Sequence, residues 1–171
     1  MQKPTIYLAG SIRNGVARDI EWRRKAIIWL GGVATVLNPL AGKIYHPESE
    51  TWTLFGTPPS GRAIVSYDFW SVDRADVFIF DLRSLAEGYP SLGSLIEFGR
   101  ATTRQALIFS VLPEGYCGHG NGSMYALHPF IAENSARVFT DMDECIRFVS
   151  HQLRALGGQE VFDNTILPEE G

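Results

Sequence analysis

Basic runs, long apolar stretches and paired cysteines are all scarce in this chain of 171 residues. Of its 15 cationic side chains 12 are Arg and only 3 are Lys, and no group of them forms a stripe. A protein that tracks a nucleic-acid backbone usually carries such a stripe, so polymeric DNA or RNA is not an expected partner, while small anionic ligands stay open. No apolar run approaches the ~18 residues that a membrane span requires, and the N-terminus enters a strand pattern instead of a cleavable signal. Cys117 and Cys145 sit in no Cys-x-x-Cys or Cys/His spacing, and one pair is too few for a secreted disulfide framework. Both are expected as free thiols, in a cytoplasmic protein. His119 and His128 have no spacing that supports a metal centre, and neither a metal nor a cofactor is implied. Internal repeats and low-complexity segments are absent as well.

What the sequence does hold is an ordinary globular balance, with 45% hydrophobic and 20% charged residues and a formal net charge of -4. The length predicts one domain over residues 1–171, large enough to bury a core unaided, with one active centre. Residues 5–9 (TIYLA) read as a strand, 19–30 as a helix closed by Gly31-Gly32, and 33–37 as a second strand ending at Asn38-Pro39. Residues 40–60 hold prolines, His46, Trp52 and Phe55 without clear periodicity, and are expected as a long loop, or lid, at a ligand site. A helix over 61–75, a strand over 77–80, a helix over 91–103, strands over 106–111 and 137–140 and a closing helix over 142–156 follow. Residues 160–171 are expected as a frayed tail. This alternation predicts an α/β fold, a doubly wound five-stranded parallel sheet of flavodoxin or Rossmann type in the order 2-1-3-4-5 with helices on both faces. Ligands of such sheets bind beyond the carboxyl ends of the strands, here at Gly10-Ser11, Asn38 and residues 81–93.

Two acids stand out because they fall where apolar residues belong. At helical spacing Ile64, Val65, Val72 and Ala75 share a face with Asp68, whereas Arg62 and Asp73 fall opposite as solvated charge, and Trp70 points outward as a candidate subunit contact. Glu97, flanked by Leu95-Ile96 and Phe98, lies within two turns of a helix start. Each acid has a plain structural alternative: Asp68 bonded to a neighbouring loop, Glu97 paired with Arg100. Together they are candidates for an acid and nucleophile pair of the kind that cleaves glycosidic bonds. The strand period of two puts Tyr7 and Ala9 on one face and Ile6 and Leu8 on the other, and a buried Tyr7 hydroxyl needs a partner that Glu97 could supply. The segment 10–15 (GSIRNG) matches neither a Walker A loop nor the dinucleotide spacing, and is as well explained by a tight turn at Gly10 as by ligand contact. Ser91 and Gly93 lie at the start of the Glu97 helix, where Ser91 also reads as a simple N-cap. Asn121 and Ser123, in and after GHGNG, are candidates for reaching a neighbouring subunit's site.

Strand 1 with Tyr7, then Asp68 ahead of Ala75-Asp76-Val77, then Gly93-x-x-x-Glu97-x-Gly99-x-Ala101 resembles the nucleoside 2-deoxyribosyltransferase family over roughly residues 5–111. The resemblance implies that Glu97 attacks C1′ of a 2′-deoxyribonucleoside to form a deoxyribosyl ester, that Asp68 is the acid assisting the base, and that Tyr7 orients the nucleophile. Ala9, Gly10, Ser11, Arg13, Asn38, Ser91, Gly93, Asn121 and Ser123 are the substrate-binding candidates. Many members carry an Asp where Ser91 stands here. Gly10-Ser11-Ile12-Arg13 with Pro90-Ser91-Leu92-Gly93 also looks like the sister group, the 2′-deoxynucleoside 5′-phosphate N-hydrolases, in which Ser11, Arg13, Ser91 and Ser123 would hold the phosphate and water would replace the acceptor base. A transferase is placed first and the hydrolase second, with a non-catalytic nucleotide-sensing module third. Small-molecule nucleosides, nucleobases or monophosphates are the expected partners, and the resemblance implies a homo-oligomer.

Overall fold

A computed structural model describes residues 2–13, 17–46, 48–49, 51–87, 91–115 and 128–157, and in it the predicted alternation becomes a five-stranded parallel sheet. The strands are β1 (Thr5–Gly10), β2 (Thr35–Leu37), β5 (Val77–Asp81), β6 (Leu107–Val111) and β7 (Arg137–Phe139), lying in the order β2-β1-β5-β6-β7. Counted within the sheet alone this is 2-1-3-4-5, as the sequence predicts. β1 and β5 run through its middle in the register Tyr7 to Phe78 and Gly10 to Asp81. All five residues of β5 are buried, as expected for a strand covered on both faces.

The period of two sorts the core into two layers. Ile6 and Leu8 face Trp22, Ala26 and Leu30 of α1 (Ala17–Leu30) and Cys145, Ile146 and Val149 of α5 (Met142–Leu156). Tyr7 and Ala9 face the other way, with Val72 of α2 (Gly61–Val72), Phe98 and Ala101 of α3 (Leu92–Thr102) and Ile131 of α4 (Pro129–Ala132). Phe78, Phe80 and Phe98 form an aromatic column in this second layer, with ring centroids 5.7 Å and 5.0 Å apart. Gly10 is required where β1 and β5 end, because a Cβ there would lie 2.8 Å from Cβ of Asp81.

Two expectations need correction. Residues 40–60 are not a structureless loop: β3 (Lys43–His46) and β4 (Thr51–Leu54) pair antiparallel as a separate hairpin, with Lys43 opposite Leu54 and the Tyr45 and Trp52 rings 5.1 Å apart. Each strand has only four residues, too few for alternation to show, although Ile44, Tyr45, Trp52 and Thr53 are β-formers. Gly42, at φ +72°, makes the turn into the hairpin. The second correction is Val65, which is 50% exposed, because α2 buries only Ser71 and Val72 and so rests on the sheet by its last turn. Trp70 is exposed, with the Arg74 guanidinium 4.0 Å from its ring centroid. Among the described residues no helix is long and apolar enough to cross a membrane, and no group of three His, Cys, Asp or Glu could hold a metal ion.

Candidate active site

Tyr7 lies in the second core layer with no exposed surface, so its hydroxyl must find a partner inside the protein. It donates to Oε1 of Glu97 at 2.9 Å, across from β1 to the second turn of α3. Glu97 is itself buried, and α3 begins at Ser91, whose side chain accepts from the Ser94 amide and lies 2.8 Å from the Ser94 hydroxyl. Burial pushes the Glu97 carboxyl up to about 7, with the Asp68 charge adding to the rise, while the Tyr7 hydrogen bond and the charges of Arg23 and Lys43 oppose it. Tyr7 is pushed far above its ordinary value, first by burial and then by the charges of Glu97 and Asp68, and serves only as a donor.

Asp68 comes from α2. It is half-buried, and its Oδ1 has no hydrogen-bond partner among the described residues. The Lys43 ammonium, delivered by the hairpin, stands 3.9 Å from that oxygen. Burial raises the Asp68 carboxyl above its ordinary value, against the attraction of Lys43 and then Arg23. The structural alternative for Glu97 does not occur, since Arg100 bonds Asp73 at 2.7 and 2.6 Å instead.

The loop after β1 is held from beneath. Arg23 of α1 is fully buried and donates to the carbonyls of Gly10 at 2.8 Å, Ser11 at 3.2 Å and Asp19. Burial lowers it to about 10, so it stays cationic, and its charge acts on Glu97, Asp68, Tyr7 and Asp81. Arg13 wraps Asp19 through Nε at 2.8 Å, Nη2 at 2.9 Å and its own amide at 3.1 Å, and donates its remaining arm to Glu87. Arg18 donates to the same Glu87.

The structure therefore brings Tyr7, Asp68 and Glu97 together, with Ala9 buried in β1 beside Tyr7 and Gly10-Ser11 at the strand's end. Asn38 follows β2, where its Oδ1 accepts from the Leu40 amide at 3.0 Å, and Gly93 is exposed in the first turn of α3 with open space where a Cβ would stand. Asn121 and Ser123 lie outside the described residues. Arg23 and Lys43 are the charged groups missed in the sequence. Arg23 could have been found, since Asp19 and Arg23 fall i, i+4 in line with Ala26 and Leu30 of the buried stripe. Lys43 had no such signal.

The fold is shared with solved structures that include a conserved protein of Enterococcus faecalis V583 (TM-score 0.63, 10% identity, 88% of this chain and 99% of that one). It is shared as well with a CMP N-glycosidase of Clostridium botulinum (TM-score 0.55, 15% identity, 86% and 98%). A 2-desoxiribosyltransferase of Leishmania mexicana matches likewise (TM-score 0.59, 14% identity, 86% and 97%). The likeness read from the sequence is thus met among the structures with this fold. No family model matches the sequence, and no curated protein matches it.

Proposed function

We propose that this chain is a nucleoside 2-deoxyribosyltransferase, cleaving the N-glycosidic bond of a 2′-deoxyribonucleoside through a deoxyribosyl ester on Glu97 and passing the sugar to another base. The observation that carries the reading is a pair of carboxyls in unlike settings: Glu97, buried and fixed by the Tyr7 hydroxyl, and Asp68, half-buried with one inward oxygen that no hydrogen bond reaches among the described residues. The likeness in fold to a deoxyribosyltransferase and to an N-glycosidase supports chemistry at an N-glycosidic bond.

In this reading the Tyr7 bond occupies Oε1 of Glu97 and leaves Oε2 to attack C1′. As the C1′–N bond breaks, its electron pair goes to the base nitrogen, and the Asp68 carboxylic acid donates a proton to the base. The sugar passes through an oxocarbenium-like state whose positive charge the Glu97 carboxylate faces before the ester forms. In the return step an incoming base attacks C1′, gives its N–H proton to the Asp68 carboxylate, and frees Glu97. One proton shared by the two carboxyls suffices for the cycle, and burial, which raises both carboxyls above their ordinary values, favours its retention by the pair.

An unphosphorylated nucleoside is favoured over a 5′-monophosphate, because Arg13 is already bonded to Asp19 and Glu87. A phosphate at Arg13 must first displace a carboxylate. The test is chromatography of reactions with thymidine and adenine together, thymidine alone, and thymidine 5′-monophosphate alone. Deoxyadenosine formed only from the mixture is the expected result. Thymine released only from the monophosphate would assign the chain to the hydrolases and overturn the transferase reading, and binding of all three without turnover would make it a sensing module.

A further inference from the structure

Among the described residues the β3–β4 hairpin pairs only with itself, yet it carries a buried charge. Ile44, the next residue, is 56% exposed, whereas the Lys43 side chain is 8% exposed and faces Asp68. Its backbone is fixed at the hairpin base, where Gly42 accepts the Phe55 amide at 3.0 Å and Leu54 is the cross-strand partner. A lysine desolvated in this way is expensive unless a negative charge answers it, and Asp68 is the carboxylate with which it pairs. The 3.9 Å separation is too long for a hydrogen bond, so the ammonium faces the buried Oδ1 of Asp68 as a nearby charge and not as a hydrogen-bond donor.

We propose that Lys43 is a positioning residue for the proton-donating step: the hairpin holds its ammonium where it meets the negative charge that Asp68 acquires on giving its proton to the departing base. The proposal rests on the reading of Asp68 as the acid. When the base leaves with the proton, the Asp68 carboxyl changes from neutral to anionic in a half-buried position, and a preset cation lowers the barrier to that change. The charged and titratable groups around Asp68 and Glu97 come from five elements: Lys43 from β3, Arg23 from α1, Tyr7 from β1, Asp68 itself from α2 and Glu97 from α3. Arg23 is tied to three backbone carbonyls, which leaves Lys43 as the cation whose side chain is committed to Asp68.

The test follows the Asp68 carboxyl by carbon-13 NMR through a pH titration, its resonance identified by loss in Asp68→Asn, in the wild type, Lys43→Met, Lys43→Gln and Lys43→Arg. The two neutral variants are expected to titrate higher by about one pH unit or more, and Lys43→Arg close to the wild type. A shift in Lys43→Met and Lys43→Gln no larger than that of Lys25→Met, which removes an exposed pair with Asp143, would overturn the proposal. Kinetics supplies the second arm: Lys43→Met should lower kcat about tenfold in the wild-type background and cause no further loss in the Asp68→Asn background. Independent, multiplying losses would overturn the coupling. If neither transfer nor hydrolysis is detected in the wild type, the proposed function falls while the titration still decides whether Lys43 governs Asp68.

Discussion

Two sets of carboxylates sit close together at the carboxyl edge of the sheet, and they differ in how completely they are answered. Asp19 and Asp81 are 1% and 4% exposed, and each is wrapped by an arginine: Asp19 by Arg13, and Asp81 by Arg83 at 2.8 and 2.9 Å with the Arg83 amide added at 3.2 Å. Glu97 is 8% exposed, hardly less buried, but receives one neutral hydroxyl, and Asp68 has an oxygen with none. Burial alone therefore does not separate Glu97 from Asp19 and Asp81. Their partners do. A carboxylate gripped by a guanidinium has its lone pairs occupied, whereas one short of partners keeps them for chemistry.

The largest test of this contrast is Glu97→Gln, which preserves the size and the Tyr7 contact and removes the nucleophile. Loss of at least about a thousandfold in transfer is expected, with an unchanged circular dichroism spectrum. Retention of activity would place Glu97 with Asp19 and Asp81 as a structural acid. Asp19→Ala tests the other side: stripping the carboxylate from Arg13 breaks a largely buried pair and should destabilise the fold by about 3 kcal/mol in urea unfolding. A loss below about 1 kcal/mol would mean that solvent already shares that pair.

The contrast also gives stability a pH dependence. Glu97 is raised from its ordinary 4.5 to about 7, so between these values the folded chain binds the proton more tightly than the unfolded chain does. Its contribution to stability is accordingly complete below pH ~4.5 and declines as pH rises through ~7. Glu97→Gln cannot ionise, and is expected to be more stable than the wild type by about 1–3 kcal/mol near pH 8.5 and no more stable near pH 5. Equal stability at both would show that the ionised Glu97 is well solvated. Because the first step needs Glu97 ionised and Asp68 protonated, activity is expected to follow a bell-shaped pH profile, falling on the acid side as the pair gains a second proton and on the alkaline side as it loses the shared one.

How far each region could be read from the sequence follows from the range of the interactions that build it. Strand and helix periods are local, and they sufficed to place Tyr7 apart from Ile6, while the strand order followed from the alternation of strands and helices along the whole chain. Asp68 and Glu97 were visible because a charge interrupts an apolar stripe, an anomaly that needs only a dozen neighbouring residues to notice. Lys43 was not, because its meaning depends on two four-residue strands pairing with each other and reaching a helix that begins at residue 61. Val65 was misplaced for a related reason: periodicity gives the apolar side of a helix but not how much of the helix the sheet covers.

A smaller effect is expected at the hairpin base. Gly42 adopts φ +72°, and an added Cβ would meet the Phe55 ring at 2.6 Å. That ring is 82% exposed and free to give way, so the left-handed backbone is the main charge against a substitution. Gly42→Ala should destabilise by about 1 kcal/mol, and any larger fall in kcat than in stability would show that the hairpin matters to the site beyond the fold.

The smallest expected effect is at Glu87, which shares features of both sets. Like Asp19 it accepts from Arg13, and Arg18 adds a second guanidinium, so its carboxyl is held below the ordinary range, first by these bonds. Unlike Asp19 its side chain is 38% exposed, and exposed ion pairs gain little because water already solvates both charges. Glu87→Gln should change stability by less than about 1 kcal/mol, with the difference shrinking at high salt. Its value as a test lies in what it does to Arg13, which keeps Asp19 but loses the competitor for its outer arm. If Glu87 is what discourages a phosphate there, Glu87→Gln should lower KM for a deoxynucleoside 5′-monophosphate relative to the nucleoside. An unchanged ratio would show that the loop excludes the phosphate by shape, or that substrate does not reach Arg13 at all.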